Sequence, residues 1–292
     1  MDQKIIRLYD RFTHGGMDRR RFLERLATLA GGAAAASALL PMLECNYAKA
    51  ALVPADDPRI ATQAIRFPGA TGEVKGYLAT PKAGGKRPAV VVIQQNRGLN
   101  PHIEDVARHY AVEGFLALGV DYLSPQGGTP VDVNEDKARE MHSKIDPAGA
   151  LGDSRAAVAW LKAHAGSTGK VGAVGFCWGG GMVNNLAVAE PTLDAGVAYY
   201  GRQPAADRVP AIKASLLLHY AGLDDPINAG IPAYEAALKA NGKSYELYLY
   251  PGVNHAFSDD TAGVRYDKAA AELAWSRTVA FFRKHLGAPG GA

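Results

Sequence analysis

The feature that most constrains this chain is the stretch 171–181, Val171-Gly172-Ala173-Val174-Gly175-Phe176-Cys177-Trp178-Gly179-Gly180-Gly181. Its apolar first half reads as a buried strand, and a helical pattern resumes from Met182 to Glu190, so strand, sharp turn and helix meet at Cys177. Gly175-x-Cys177-x-Gly179 has the form of a nucleophile elbow, in which flanking glycines let the backbone pack closely around an exposed nucleophile. A thiol stands where a serine is usual. At the N-terminus of the next helix, free amides and the helix dipole would favour its thiolate, and the backbone N–H of Trp178 would face a developing oxyanion. The plainer alternative is a buried small hydrophobe, with the glycines serving strand–helix packing.

The rest of the chain supplies a sheet for such a turn. Residues 65–67 and 74–80 alternate around a glycine turn as a hairpin, and Ala89 to Gln94 is a β-branched run of the kind buried on both faces of a parallel sheet. Further strands are expected at 114–120, 195–200, 215–220 and 245–250. Helices are expected at 102–113, 135–144, 150–165, 232–240 and 266–285, with a long glycine- and proline-rich crossing from 121 to 130 and a frayed tail at 287–292. Alternating strands and helices imply a mostly parallel, twisted α/β sheet covered on both faces. With 292 residues, 48% of them hydrophobic, the chain suits one large domain over 51–292, with its core at about 60–286.

Residues 1–50 read differently. They hold 8 of the 32 basic and 5 of the 29 acidic residues, leaving 24 of each in a formally neutral body, which gives no support for a nucleic-acid or anionic-membrane partner. Arg19-Arg20-Arg21-Phe22-Leu23, an alanine-rich apolar stretch from Leu26 to Leu43 and Ala48-Lys49-Ala50 follow in the order of a twin-arginine export leader with its cleavage site. The expectation is a periplasmic or secreted protein with no stable membrane association once the leader is removed. Cutting there would leave Cys177 as the one cysteine, with no disulfide possible. The alternative is an amphipathic helix and an alanine-rich helix that stay in place in a cytoplasmic protein.

Open α/β sheets bind ligands beyond the carboxyl ends of their strands. There the sequence places Cys177, then Asp224 after the strand ending at Tyr220, then His255 after the strand ending at Tyr250. Nucleophile, acid and histidine in that order match the order of an α/β-hydrolase triad, with Asp225 as the competing acid. In such a triad His255 takes the thiol proton and returns one to the leaving group, and Asp224 fixes the imidazole tautomer.

Across residues 60–286 the chain resembles the dienelactone hydrolase family. The likeness rests on Asn96-Arg97-Gly98-Leu99-Asn100-Pro101-His102, Gly175-Phe176-Cys177-Trp178-Gly179-Gly180-Gly181, Tyr200-Gly201-Arg202-Gln203, Pro251-Gly252-Val253-Asn254-His255-Ala256-Phe257 and Arg265-Tyr266-Asp267-Lys268. It implies an α/β-hydrolase fold, a Cys177–His255–Asp224 triad, a second oxyanion N–H from Asn96, and neither metal nor organic cofactor. Two departures stand out. Where the family carries His-Glu, with the glutamate helping to activate the thiol, this chain has Gln94-Gln95, and Gln95 cannot act as a base. The family's carboxylate-binding arginines are also absent from their usual loops, Arg97 and Arg202 are the available substitutes, and Asp259 and Asp260 beside His255 are expected to repel a carboxylate. The expected reaction is hydrolysis of a small-molecule ester or lactone through a Cys177 thioester. Cleavage of other activated esters, phosphotriesters included, and a non-catalytic binding protein are the alternatives.

Overall fold

The computed structural model describes residues 1–46, 53–130 and 135–288. Helices α1 (Gln3–Thr13), α2 (Arg19–Ala30) and α3 (Ala33–Leu43) precede a hairpin of β1 (Ile60–Gly69) and β2 (Gly72–Pro81). Then come β3 (Arg87–Ile93), α4 (Pro101–Val112), β4 (Leu116–Asp121), α5 (Glu135–His142), α6 (Pro147–Ala163), β5 (Ser167–Phe176) and α7 (Trp178–Ala189). The chain continues through β6 (Ala195–Tyr199), β7 (Ser215–Ala221), α8 (Asp225–Asn228), α9 (Ile231–Ala240), β8 (Tyr245–Tyr250) and α10 (Lys268–Leu286).

The strands form one eight-stranded sheet in the order β1-β2-β4-β3-β5-β6-β7-β8. Pairing is antiparallel from β1 to β4 through β2, and parallel from β4 through β8. Every residue of β3 and β4 is buried, as continuous apolar runs require when helices cover both faces. Two hydrophobic clusters lie on opposite sides of the sheet. One packs Val91, Ile93 and Leu118 with α6, α7 and α9, and the other packs Val90, Val92 and Phe176 with α4 and α10. The parallel registers bring the carboxyl ends of β3, β5, β6, β7 and β8 to one edge, so residues 94–98, 177, 200–202, 222–224 and 251–257 emerge side by side.

Local chemistry sets the ends of these elements. The β1–β2 turn is pinned by buried Asp153, which accepts from the Thr71 amide (3.0 Å) and hydroxyl (2.6 Å). Asn100, Asp146 and Asp267 cap α4, α6 and α10, and the first two are each followed by proline at the first helical position.

Residues 1–46 are folded against this body. Ile5, Leu8, Tyr9, Phe22, Leu26, Ala36 and Leu43 form a small core of their own. The three consecutive arginines sit in the first turn of α2, where Arg19 pairs with Asp136 and Arg20 with Glu24. The apolar stretch expected as one segment is broken at Gly31, which is left-handed (φ 82°), and α2 and α3 bend by 111°. Among the described residues no single helix is long and apolar enough to cross a membrane. Ala48-Lys49-Ala50 lies outside the described residues.

The N-terminal helices hang together on aromatic packing that Phe22 centres. Only 1% exposed, it stacks on Phe12 at 4.5 Å between ring centroids and meets Tyr9 edge-on at 5.8 Å. Phe22→Ala is expected to cost the segment about 3–5 kcal/mol. Amide exchange in α1–α3 should then accelerate while protection in β3 and β5 stays at the parent level; equal protection everywhere would show that the segment does not depend on this packing.

Candidate active site

The turn at Cys177 is built by glycines that no other residue could replace without displacing backbone. A Cβ on Gly175 would lie 2.1 Å from the Gly179 carbonyl oxygen, and one on Gly179 would lie 2.4 Å from that of Gln94. One on Gly180 would lie 2.5 Å from the Tyr199 oxygen. This packing lets Cys177 adopt φ 57°, ψ −116°, a conformation a side chain rarely takes, and projects its sulfur past the sheet edge at the N-cap of α7. The Trp178 N–H, first in the helix, has no intrahelical acceptor.

His255 follows β8 on a loop that needs a second strained residue, Ala256 (φ 67°). Its Nδ1 lies 2.6 Å from Asp224 Oδ2, both groups being buried. A carboxylate accepts, so Nδ1 donates and Nε2 is left facing Cys177. Asp225, the competing acid, points outward to Arg7 at 3.2 Å. Tyr200, also at positive φ (38°), packs its ring on His255 and bonds Ser258 through its hydroxyl at 2.9 Å.

A further imidazole enters from the N-terminus. His14 Nε2 lies 3.1 Å from Cys177 Sγ and 3.2 Å from His255 Nε2, and the ligating atoms of all three residues fall within 4.8 Å of one another. His14 Nδ1 lies 2.6 Å from the Asp10 carbonyl oxygen, which fixes it as the donor. Although neighbours surround it, the His14 side chain remains open to the cavity in front of the thiol.

Electrostatics follow from this triangle. Burial alone would raise the Cys177 thiol, but the imidazoles of His14 and His255 outweigh it and hold the thiol well below its ordinary value. Burial works against charge on His255 too, yet Asp224 and then Cys177 carry it well above the usual imidazole range. His14 is raised as well: burial opposes the charge and the nearby sulfur overcomes it. His142 goes the other way, to about 4, through burial and then the His14 charge.

The cavity measures about 1160 Å³ and is bounded by Phe12, Met17, Leu151, Trp178, Met182 and Ile227 on its apolar walls. Its charged lining includes Arg19, Arg139, Asp136 and Glu140, together with Arg202 and Arg208. The last two have no ion-pair partner among the described residues.

The remaining sequence candidates are disposed as follows. Asn96 lines the cavity, and its Nδ2 donates to the Thr13 carbonyl at 2.6 Å, tying the loop after β3 to the end of α1. Arg202 lines the cavity; Arg97 is buried, paired with Glu135 at 3.1 Å and with Gln95 at 3.4 Å, and is thereby occupied. Gln95 does not reach the thiol. Its Nε2 donates to Asp259 Oδ2 at 2.9 Å and its Oε1 accepts from Arg97.

The expected repulsion of carboxylates is corrected by the same network. Asp259 and Asp260 turn away from the cavity toward buried His102, at 3.7 and 3.3 Å, and Asp259 also accepts from the Thr261 amide and hydroxyl. Nothing in the local sequence pointed to His14. Thr13-His14-Gly15-Gly16 reads locally as a glycine helix stop, and its partner Cys177 lies 163 residues away. Residues 131–134, between the glycine- and proline-rich crossing and α5, lie outside the described residues.

The model of the dienelactone hydrolase family matches residues 74–286, and a second model, YqhI-like, matches residues 1–32. A Methylorubrum extorquens protein bearing the name carboxymethylenebutenolidase is 32% identical over 234 residues, covering 76% of this chain and 80% of its own. A dienelactone hydrolase structure from Klebsiella pneumoniae superposes with a TM-score of 0.68 at 28% identity, covering 77% of this chain and 99% of its own. A dienelactone hydrolase-like promiscuous phosphotriesterase from metagenomic libraries shares the fold, with a TM-score of 0.69 at 24% identity, over 78% of this chain and 100% of its own.

The position of Gln95 carries a prediction. A carboxylate there would face Asp259 across 2.9 Å in a buried site. Gln95→Glu should therefore destabilise the fold by about 3 kcal/mol without raising the rate of ester hydrolysis. Denaturant unfolding together with a steady-state assay checks this, and a large gain in rate would mean that the substituted side chain reaches the thiol.

Proposed function

The chain belongs to the dienelactone hydrolase family, and on that footing we propose that it hydrolyses carboxylic esters or lactones by acyl transfer through a thioester on Cys177. The observation that carries this reading is the buried His255–Asp224 pair at 2.6 Å, with its imidazole turned toward a thiol on a strained strand–helix turn.

In the resting site Cys177 is a thiolate and the proton sits on imidazole, since the thiol is lowered and His255 raised. The thiolate attacks the acyl carbon and forms the C–S bond. The resulting oxyanion lies where the backbone N–H groups of Trp178 and Asn96 can donate to it. Collapse breaks the C–O bond, and the alkoxide leaves with the proton from imidazolium. Water then gives a proton to the neutral imidazole and attacks the thioester, and the C–S bond breaks to regenerate thiolate and imidazolium while the acid departs. Asp224 holds the tautomer throughout.

The cavity favours a substrate that carries negative charge. Arg202 and Arg208 are unpaired cations at its wall, whereas Arg19 and Arg139 are engaged with Asp136. Phosphotriester cleavage is the second reading, on the likeness to the metagenomic enzyme, and it would use the same sulfur with phosphorus in place of the acyl carbon.

For the N-terminus we propose retention rather than export with cleavage. Its helices pack on the body, and His14 and Thr13 contact Cys177 and Asn96, so a protein cut after Ala50 would lose those contacts.

Two measurements test the reaction. With p-nitrophenyl acetate, Cys177→Ser and His255→Ala should each lower kcat/KM by about 10³-fold or more, and Asp224→Asn by about 10⁴-fold. The rate should rise as pH passes upward through the depressed thiol value and fall through the elevated His255 value, leaving a plateau across neutrality. Retention of the parent rate in Cys177→Ser would remove the thioester from the mechanism. For charge selection, Arg202→Gln should raise KM about two- to fivefold for an ester bearing a free carboxylate, because the arginine is solvent-exposed, and leave a neutral ester unchanged. Equal effects on both esters would mean that Arg202 does not read the charge.

A further inference from the structure

Three proton-bearing atoms meet at the nucleophile, and their hydrogen-bond roles do not balance unless they act together. His255 Nδ1 donates to Asp224 and His14 Nδ1 donates to the Asp10 carbonyl, so in their neutral forms both rings present an Nε2 lone pair. Those two nitrogens face each other at 3.2 Å, a distance that repulsion between lone pairs would not allow without a proton between them. The source of that proton is at hand, because Cys177 Sγ lies 3.1 Å from His14 Nε2.

We propose that His14 is a second catalytic imidazole: it shares with His255 the proton removed from Cys177, keeps the sulfur as thiolate, and hands the proton through His255 to the leaving group. This rests on the thioester reading of Cys177. The balance is complete without any further reactant. The thiol proton moves to the imidazole pair, the departing alkoxide takes it, and the water that cleaves the thioester replaces it.

The N-terminal segment is built to deliver this ring. His14 closes α1, and a left-handed Gly15 (φ 78°) with the Gly16 amide on the Arg11 carbonyl at 2.8 Å turns the chain away at once, so the imidazole projects from the helix end. Contacts to the loops that carry the reaction hold α1 in place. Thr13 accepts from Asn96, Gln3 donates to Asn254 beside His255, and Asp10 pairs with buried Arg265 at 3.4 Å. Match of a separate family model to residues 1–32 marks the segment as a recurring unit. Gln95 is committed to Asp259 and Arg97 and offers the thiol nothing.

The groups that bear on His14 come from several elements. Cys177 and His255 face it directly, His142 approaches from α5, and Asp18, Arg19, Asp136, Arg139, Glu140, Arg202 and Arg208 line the same cavity. His142 is neutral at working pH, and Arg19 and Arg139 are offset by Asp136 and Glu135, so the sulfur and the second imidazole dominate the titration of His14.

The test uses the full chain and its His14→Ala and His14→Gln variants beside Cys177→Ser. The pH dependence of iodoacetamide alkylation reads the thiolate, and p-nitrophenyl acetate hydrolysis reads turnover. Both His14 variants should need a higher pH for alkylation and lose about 10²-fold in kcat. Free imidazole should partly restore His14→Ala, because the ring it replaces stands open to the cavity, while adding nothing to Cys177→Ser. A parent-like alkylation profile and rate in both variants would overturn the proposal and leave the His255 triad standing, as would a rate above the parent's, which would make His14 a plug. Loss of rate with an unchanged alkylation profile and no rescue would likewise overturn it, assigning His14 a packing role. Failure of Cys177→Ser to lose activity would instead strike the thioester reading itself.

Discussion

Everything at this site depends on the backbone conformation of one residue. Cys177 is held at positive φ between β5 and α7, and that strain is tolerated because Gly175, Gly179 and Gly180 let three backbones approach where any Cβ would collide. The turn does three things together. It lifts the sulfur clear of the sheet, leaves the Trp178 amide unpaired, and brings α7 close enough to β3 and β6 that the loops after those strands form the walls of the site. For the proposed acyl transfer, a looser turn would separate the Cys177 sulfur from the Trp178 and Asn96 amides by more than the reaction tolerates.

Around that turn charge is organised in two separate networks. One joins Asp224, His255, Cys177 and His14 and faces the cavity. The other joins Gln95, Asp259, His102, Arg97 and Glu135 around the loop after β3. Keeping the second network self-satisfied keeps its carboxylates from competing for the imidazoles of the first. It also explains why a neutral glutamine sits at position 95: it must donate to Asp259 and accept from Arg97 at once, which an amide can do and a carboxylate cannot.

Much of this was legible in the sequence, for physical reasons that also mark the limit. The β-branched run before Gln94 and the glycines around Cys177 are local consequences of a parallel sheet and a tight turn, so strand order of appearance and elbow could be read directly. Asp224 and His255 could be placed because function gathers at strand ends. Side-chain direction was not legible. Asp259 and Asp260 lie only a few residues from His255, yet the 3₁₀-like turns after Ala256 swing them toward His102. Arg97 follows Asn96 in the chain and still faces the opposite way, into Glu135. The N-terminus was hardest, because an apolar, arginine-led segment satisfies both a leader and a pair of amphipathic helices, and the contact that bears on the choice, Asn96 to Thr13, joins residues 83 positions apart.

Under the proposed thioester mechanism that N-terminal contact has a physical sense. A serine hydroxyl remains protonated until the moment of attack, so one histidine acting as transient base is enough. A thiol whose value is pulled low holds its charge at rest, and a buried resting anion is costly unless cations surround it. Asp224 commits one face of His255, and α7 contributes only partial charge from its free amides. The second imidazole answers the remaining deficit without introducing a permanent charge, because a histidine can surrender its proton once the sulfur becomes an uncharged thioester. An arginine in the place of His14 would hold the thiolate just as firmly but would have no proton to give to the leaving group. On that proposal the ring at the end of α1 is matched to a nucleophile that changes charge during the reaction, and the three helices that carry it are its structural support.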